Sequence, residues 1–260
     1  MRYVNHDGRE TAYEWSEKAS GEDSVPVVVW VHGSGATHGI WKSQLARLPF
    51  RSAALDLSGH GESEDFSSSY QGDVMDCYVD DLDAVVKDVG ADVVVGNSLG
   101  GAVVQTYLVE RNHELDGVVL TGTGAKLAVL EELLDWLSST GEFGKAVEFL
   151  HGDDMLFHDV DKRYVEDSMS EMRKVGREVT ERDFRACNRF DVRGELEAIE
   201  VPTLVVGGEY DQLTPPKYHR YLSEEIPDCR LVMVEDAAHL CMLENPCDFN
   251  EKVCDFVENL

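Results

Sequence analysis

The chain has 260 residues, and its 51 acidic and 23 basic side chains give a formal net charge of −28. The length fits one domain, or one domain with an insertion, and a hydrophobic fraction of 43% is ordinary for a globular protein. A field this negative repels nucleic acid and anionic membrane surfaces, so we expect neither as a partner.

The acidic residues are spread along the chain and are not gathered into a tail, which favours a solvated acidic surface. Such a surface destabilises the compact state by self-repulsion unless salt screens it, and at molar salt the Debye length is only about 3 Å. We therefore interpret the composition as an adaptation to a salty cytoplasm, as in halophilic organisms with an acidic proteome. An acidic mesophilic protein is the alternative.

The cysteines and the N-terminus predict the compartment. None of the six cysteines forms a CxxC pair, and the segment after Met1 lacks the apolar core of a signal peptide. No run approaches the ~20 apolar residues of a membrane helix. We expect reduced thiols in a soluble cytoplasmic protein. Cys241, Cys247 and Cys254 do not have zinc-site spacing, so no metal site is predicted.

In the first half of the chain, predicted strands alternate with predicted helices. The pair Asp7-Gly8 separates residues 2–5 from 10–16 and indicates a hairpin. Apolar runs rich in β-branched residues then predict buried strands, whereas apolar residues at helical spacing predict helices. The strands lie at 27–31, 53–55, 93–95 and 118–120, and the helices at 74–89 and 99–111.

From residue 125 to 195 charged helical segments replace the strands, after which strands return. The predicted helices of this block are 127–139, 143–150, 161–176 and 181–190; beyond it we predict strands at 203–206 and 231–235 and helices at 216–225 and 246–258. The alternation predicts an α/β fold, a mostly parallel central sheet with helices on both faces. Residues 1–124 and 196–260 would form the core, and 125–195, the lid segment, an inserted helical cap.

The most informative motif is Gly96-Asn97-Ser98-Leu99-Gly100, which matches G-x-S-x-G. It follows a predicted strand and precedes a predicted helix, as a nucleophile elbow requires. The glycines let strand and helix approach closely, and the serine hydroxyl is exposed at a helix N-terminus that favours developing negative charge. We predict Ser98 as a catalytic nucleophile.

A serine hydroxyl needs a base, and the base needs an acid that fixes its tautomer. His239 follows the last predicted strand and returns to the sheet edge where Ser98 lies, so we predict it as the base. Asp211 and Glu209 both follow the penultimate strand; Asp211 lies deeper in the loop and is preferred. Asp236 is too close to His239 in sequence. The chain order Ser98, Asp211, His239 suits the predicted fold.

The developing oxyanion needs two N–H donors at about 3 Å. One is predicted to be the backbone of Leu99, the residue after the nucleophile. The other is predicted to be the backbone of Ser34, in the loop His32-Gly33-Ser34-Gly35 after the first buried strand.

These motifs resemble the α/β-hydrolase superfamily, in its lidded branch of small esterases, enol-lactonases and carbon–carbon bond hydrolases. The resemblance spans nearly the whole chain and includes 32–35, 56–63, the serine elbow, 207–211 and 239–246. It implies that His60 stabilises a turn and that His32 is a scaffold residue. Because position 98 is Ser and not Asp, it speaks against haloalkane dehalogenases and epoxide hydrolases.

The expected activity is hydrolysis of a small carboxylic ester or related acyl compound, with no cofactor. The stretch after His239 is closer to esterases and enol-lactonases, whereas Asn97 and the 33–35 loop are closer to carbon–carbon hydrolases of meta-cleavage type. A perhydrolase or haloperoxidase-like enzyme and a ligand receptor on this scaffold are further alternatives. Trp41, Trp136 and Phe157 are candidates for substrate contact, although lid aromatic and Met residues at helical spacing more often form the lid's own core.

Overall fold

Buried apolar runs form the centre of an eight-stranded sheet in the computed structural model, which describes residues 1–17, 25–67, 72–152 and 155–260. The strands are β1 (Arg2–His6), β2 (Arg9–Ser16), β3 (Val27–Val31), β4 (Arg51–Leu55), β5 (Val93–Asn97), β6 (Gly117–Thr121), β7 (Thr203–Gly208) and β8 (Cys229–Val234). Their order is β1-β2-β4-β3-β5-β6-β7-β8. The β1–β2 and β2–β4 pairs are antiparallel and the others parallel, which confirms the predicted fold class.

The hairpin and the central strands follow from local sequence. Asp7 and Gly8 both have positive φ, 47° and 79°, as a two-residue I′ turn requires, and this confirms the predicted hairpin. Strands β3, β5 and β6 are buried along their whole length. Helices cover both faces of a parallel sheet, which is why these strands are continuous apolar runs without alternation.

The α-helices are α1 (Lys42–Arg47), α2 (Val74–Val89), α3 (Leu99–Glu110), α4 (Glu131–Ser138), α5 (Phe143–Leu150), α6 (Lys162–Val175), α7 (Arg177–Arg189), α8 (Pro216–Glu225), α9 (Cys241–Glu244) and α10 (Pro246–Val257). Short 3-10 helices span His38–Trp41 and Leu196–Ala198. The sequence did not predict α1, α9 or the 3-10 turns, because such short elements have no helical repeat to detect. Within the described residues, no helix has both the length and the apolar character needed to cross a membrane.

Two apolar layers pack on opposite faces of the sheet. Alternate residues of β3 point into different layers, Val29 into one and Trp30 into the other. Helices α2 and α3 pack together over the first layer, whereas α1 and α10 belong to the second. Side chains of the lid segment join both layers: Cys187 extends the first, and Leu133 extends the second.

Helices α4 to α7 all lie between β6 and β7 in the chain. The segments that lead into and out of this block run side by side, since the Val192 N–H donates to the Ala125 carbonyl at 2.9 Å. A β-bridge between Lys126 and Asp191 extends this contact. The lid segment therefore leaves the sheet and returns to it at a single narrow crossing, which we call the neck (Ala125–Lys126 with Asp191–Val192).

Candidate active site

Ser98 occupies a sharp turn between β5 and α3. Its backbone has φ 55° and ψ −115°, a strained conformation for a residue with a side chain that costs on the order of 1–3 kcal/mol. A Cβ on Gly96 would collide with the Gly100 backbone, and one on Gly100 with the Val31 backbone. The two glycines are thus needed for the close approach of strand and helix, and the turn presents Ser98 at the N-terminus of α3.

The loops after β7 and β8 bring Asp211 and His239 together. His239 Nδ1 lies 2.9 Å from Asp211 Oδ2 and donates to it, which leaves Nε2 as the basic nitrogen. Thr214 also binds Asp211, donating its N–H to Oδ1 at 2.8 Å and its hydroxyl to Oδ2 at 2.7 Å. Burial alone would raise the pKa of Asp211, but His239 and the Thr214 donors hold it below its ordinary value. Asp211 is therefore a buried carboxylate.

The alternative acids occupy different positions. The side chains of Glu209 and Asp236 are both exposed, and neither makes a hydrogen bond to His239 among the described residues. Asp236 has a positive φ of 50° and belongs to the turn after β8. Of the three acids considered from sequence, Asp211 alone has the geometry that orients the imidazole.

The loop after β3 lies directly against the nucleophile. A Cβ on Gly33 would come within 3.1 Å of Ser98 Cβ, so the neighbouring Ser34 is close to the serine elbow. Leu99 is the first residue of α3, and its N–H has no acceptor within the helix. The Ser34 N–H likewise has no acceptor among the residues that the structure describes. Both predicted oxyanion donors therefore have N–H groups free to bind a ligand.

His32 is a scaffold residue of this loop. Its ring is fully buried, with Nδ1 donating to the Gly33 carbonyl at 2.8 Å and Nε2 accepting from the Leu57 N–H at 3.1 Å. Burial, together with repulsion from His60, lowers the pKa of His32 to about 4. The neutral ring thus joins the loop after β3 to the loop after β4.

His60 also belongs to the scaffold, in a turn that is hydrogen-bonded to the lid segment. Its Nε2 lies 2.9 Å from Asp183 Oδ2 on α7, and its Nδ1 lies 3.2 Å from the Ser58 carbonyl. Burial would lower the pKa of His60, but the carboxylate of Asp183 raises it above its ordinary value. The two residues form a fully buried ion pair.

A cavity of about 760 Å³ joins the predicted catalytic groups. Ser98, His239, Ser34 and Thr214 all border it. Most of its wall is apolar, contributed by the lid segment and by the loops after β7 and β8: Leu127, Val129, Leu130, Leu133, Phe149, Leu150, Met155, Leu156, Met172, Phe184, Leu213, Pro215, Leu240 and Leu243. The cavity therefore suits a substrate with an apolar portion next to the reacting carbonyl.

The three aromatic residues predicted to contact substrate do not border this cavity. Trp41 is fully buried in the core, with its ring 5.1 Å from Trp30 and 6.3 Å from Phe249. Trp136 packs edge-on against Phe149, and Phe157 is buried beside His151. The substrate-contact prediction for Trp41, Trp136 and Phe157 is therefore corrected, because each ring packs within the core or within the lid segment and away from the cavity.

Other aromatic and Met side chains of the lid segment do border the cavity: Phe149, Met155 and Met172. The sequence reasoning also missed two polar residues at the site. Thr214 could have been found from its spacing, since Asp-x-x-Thr lets the acid accept the backbone N–H three residues later. Asp183 has no such signal, because an acidic residue on a charged helix is normally solvated.

The chain resembles known hydrolases over nearly its whole length. A model of the alpha/beta hydrolase family matches residues 28–252. The chain is 30% identical over 264 residues to the pimeloyl-(acyl-carrier protein) methyl ester esterase of Neisseria meningitidis serogroup C, covering 94% of this chain and 98% of that protein. It is 23% identical over 259 residues to 3-oxoadipate enol-lactonase 1 of Acinetobacter baylyi, covering 94% and 93%.

The solved structure of a thermophilic esterase is similar both in sequence and in three dimensions. It superimposes with a TM-score of 0.85 at 32% sequence identity, over 99% of this chain and 97% of that chain. The similarity includes the central sheet together with the segments inserted in it.

Proposed function

The chain belongs to the alpha/beta hydrolase family, and from that premise we propose that it hydrolyses carboxylic esters through an acyl-enzyme on Ser98. One observation carries the proposal: the hydrogen-bonded pair of His239 and the buried Asp211 opens into the same apolar cavity as the strained Ser98 turn. A nucleophile, an oriented base and a space for substrate are thus adjacent.

Acylation begins when Ser98 Oγ attacks the carbonyl carbon of the ester. His239 takes the hydroxyl proton at Nε2, since its Nδ1 proton is held by Asp211. The carbonyl oxygen becomes an oxyanion and accepts hydrogen bonds from the N–H groups of Ser34 and Leu99. The buried Asp211 stabilises the imidazolium that forms, without taking its proton.

Collapse of the tetrahedral intermediate breaks the bond to the alcohol, which leaves with the proton from His239 Nε2. Water then attacks the acyl-enzyme, with His239 again accepting a proton, and a second oxyanion forms in the same site. The bond to Ser98 Oγ breaks, the serine regains its proton, and the carboxylic acid is released. Every proton moves through one imidazole, so the chemistry needs no cofactor.

The cavity wall favours esters with an apolar acyl or alcohol portion. Few charged side chains border the cavity. Three of them, Lys42, Asp167 and Glu171, lie where the 3-10 helix His38–Trp41 faces α6. An apolar chain of moderate length fits the remaining wall, and its burial contributes about 0.8 kcal/mol per methylene. The esterase names of the relatives support this substrate class. Hydrolysis of an enol-lactone uses the same steps and is the second candidate.

We further propose that residues 125–195 act as a lid over a core of residues 1–124 and 196–260. The side-by-side course of the chain at the neck supports this division, as does the share of the cavity wall that the lid segment supplies. The thiol-rich, strongly acidic composition supports a cytoplasmic enzyme of a salt-rich cell that acts on small molecules.

The test is hydrolysis of p-nitrophenyl esters of increasing chain length in high KCl, by the wild type and by Ser98→Ala. We expect turnover by the wild type, and a loss of at least 1,000-fold in the variant at unchanged thermal stability. Reaction with a fluorophosphonate, followed by peptide mass spectrometry, should add one phosphonyl group at Ser98.

Three outcomes would contradict ester hydrolysis as the main activity. A preference for vinylogous diketone ring-cleavage products would identify a carbon–carbon hydrolase, and peroxide-dependent halogenation in acetate buffer a perhydrolase. Tight retention of a ligand with near-stoichiometric turnover would identify a receptor. Faster cleavage of an enol-lactone than of any open-chain ester would establish the second candidate.

A further inference from the structure

Asp183 is a fully buried carboxylate on α7 of the lid segment. It accepts hydrogen bonds from three separate parts of the core. Its Oδ2 accepts from the Gly35 N–H and from His60 Nε2, each at 2.9 Å, and its Oδ1 accepts from the Tyr78 hydroxyl at 2.6 Å. One lid side chain thus binds the loop after β3, the loop after β4 and helix α2.

A buried carboxylate is expensive to desolvate, so these donors must hold it strongly. Burial would raise the pKa of Asp183, but His60, Tyr78 and the Gly35 N–H keep it below its ordinary value. The group is therefore ionised in the folded protein, and its bond to Gly35 is charge-assisted, about twice as strong as a neutral one. The negative charge of Asp183 therefore lies against the backbone of the loop after β3.

That loop carries the proposed oxyanion donor. Gly35 directly follows Ser34 and has a positive φ of 63°, so the peptide between them sits in an unusual orientation. The Asp183 carboxylate fixes this peptide through the Gly35 N–H. One helical turn further along α7, Cys187 Sγ lies 3.6 Å from the Ser34 hydroxyl. Helix α7 therefore contacts Ser34 at its side chain and at the peptide that follows it.

The preceding residue, Arg182, anchors the lid segment to the core. Arg182 binds both carboxylate oxygens of Asp65 at 2.9 and 3.0 Å and donates to the Ser58 carbonyl at 2.8 Å. Neither of these partners belongs to the loop after β3. Arg182 and Asp183 share the loop after β4 and the Tyr78 hydroxyl, which accepts from Arg182 Nε at 3.1 Å, but of the two only Asp183 binds the Gly35 N–H.

We propose that Asp183 is a positioning residue of the lid, which holds the Ser34–Gly35 peptide so that the Ser34 N–H points at the oxyanion. The proposal rests on the proposed function. If Asp183 has this role, the lid segment must be packed on the core before the transition state can be stabilised. This requirement is separate from the contribution of the lid segment to the cavity wall. Asp183 does not border the cavity, so we expect its removal to affect transition-state stabilisation more than ground-state binding of substrate.

The test compares Asp183→Asn with Tyr78→Phe. Asparagine offers one acceptor oxygen to three donors and turns an NH₂ group toward the others. Tyr78→Phe removes the donor to Asp183 Oδ1, on the side away from Gly35, together with the acceptor of Arg182 Nε, but it leaves the Gly35 bond in place. In Asp183→Asn we expect kcat for p-nitrophenyl esters and the rate of Ser98 phosphonylation to fall about 10- to 100-fold, with KM changed less than threefold. Tyr78→Phe should stay within threefold of the wild type in both rates.

A second measurement separates positioning from loss of structure. A trifluoromethyl ketone forms a hemiketal oxyanion on Ser98, and its affinity should fall in Asp183→Asn by the same factor as kcat/KM. Affinity for the product alcohol should not change. If Asp183→Asn does not fold, Asp183→Asn with His60→Gln removes both charges of the buried pair, and the same losses are expected.

The outcomes are distinct. Phosphonylation and ketone affinity at wild-type levels in a folded Asp183 variant would overturn the positioning role, as would an equal loss in Tyr78→Phe. A wild type that is phosphonylated at Ser98 but hydrolyses no ester would overturn the proposed function alone. A wild type with neither reactivity would overturn both.

Discussion

Among the described residues, two of the three hydrogen bonds that reach the Asp211 carboxylate come from a single residue, Thr214. Its N–H and its hydroxyl each bind a different oxygen, so the carboxylate plane is fixed before His239 adds the third bond. Hydrogen bonds to a charged group contribute about 1.5–3 kcal/mol each. At the scale of single residues, the orientation of the imidazole thus depends on a side chain that takes no part in bond making.

Thr214→Val keeps the shape and the backbone donor but removes the hydroxyl. We expect kcat/KM to fall about tenfold, because a looser Asp211 holds the imidazole less well, a loss of about 1.4 kcal/mol in transition-state stabilisation. Steady-state kinetics on one ester would measure it. Thr214→Ser retains the hydroxyl and should remain within threefold of the wild type; equal losses in both variants would show that packing, and not the hydroxyl, is at issue.

Residues were predictable where local sequence sets their environment. The sharp turn at Ser98 could be predicted because it needs glycines on both sides, which leave a motif in the sequence. Trp41 could not be placed, since its partners Trp30 and Phe249 lie on other elements, β3 and α10, and the core that they form leaves no local pattern. Asp183 was missed for the same reason, because its donors come from three distant segments.

At the scale of elements, the lid segment combines structural and cavity-forming residues on the same helix. Met169 and Met172 lie three residues apart on α6 and both pack in the apolar layer. Met172 borders the cavity, whereas Met169 does not. A difference of one helical turn therefore separates a side chain that shapes the substrate space from one that stabilises the lid.

Met172→Ala should enlarge the cavity by about three heavy atoms and shift the preferred acyl chain toward longer esters by about two carbons. The chain-length profile of p-nitrophenyl ester hydrolysis measures this shift. Met169→Ala is the matched control, because it removes the same side-chain atoms from the same helix. It should lower the free energy of unfolding by at most about 2–5 kcal/mol and leave the chain-length profile unchanged. A shift in both variants, or in neither, would contradict the assignment of Met172 to the cavity wall.

Elements were predictable where they are long enough to show a period. Helices α2, α6 and α10 match their predicted ranges within a residue, because each carries an apolar face. The first lid helix was predicted from residue 127, but α4 begins at Glu131. Residues 127–130 are apolar and border the cavity, so this non-helical segment has the same composition as the apolar face of a helix.

At the scale of the whole molecule, the charge of −28 opposes folding in dilute buffer. We expect the unfolding temperature to rise steadily as KCl increases from 0.1 M toward molar concentrations, because screening removes the repulsion among surface carboxylates. Thermal unfolding followed by circular dichroism measures it, with NaCl as a control that should act similarly. An unfolding temperature that stays flat or falls with KCl would contradict the salt-adaptation proposal.

We expect two buried histidines to lower the stability of the folded protein at acidic pH. Burial lowers the pKa of His32 and of His219 to about 4, from 6.5. Above pH 6.5 both are neutral whether folded or unfolded; between pH 6.5 and 4 only the unfolded chain takes up these protons, so stability is lost as pH falls through this range. The pKa values of His60 and His38 are raised in the folded protein. The stability that these two residues contribute is therefore fully present below pH 6.5 and does not change as the pH falls further. Carboxylates whose pKa is lowered in the folded protein lose their contribution to stability only below about pH 4.

His219→Leu tests this, since His219 makes no side-chain hydrogen bond among the described residues. The wild type should lose free energy of unfolding between pH 7 and 4.5, and the variant should lose about 2–3 kcal/mol less. Urea unfolding at the two pH values gives both numbers. An identical pH dependence in wild type and variant would show that His219 titrates normally in the folded protein.

If residues 125–195 form the lid proposed above, the neck, where the chain leaves the sheet and returns to it side by side, is the place at which the lid could be exchanged. A segment taken from another hydrolase would have to close the same side-by-side pair of chain segments, which the bond between Val192 and Ala125 now joins, and would have to pack on the same two apolar layers. Under the proposed function, substrate preference would then diversify through recombination or grafting, while the turns that carry Ser98, Asp211 and His239 stay unaltered. By the positioning role proposed for Asp183, an incoming lid would have to bring its own carboxylate at that place to be fully active.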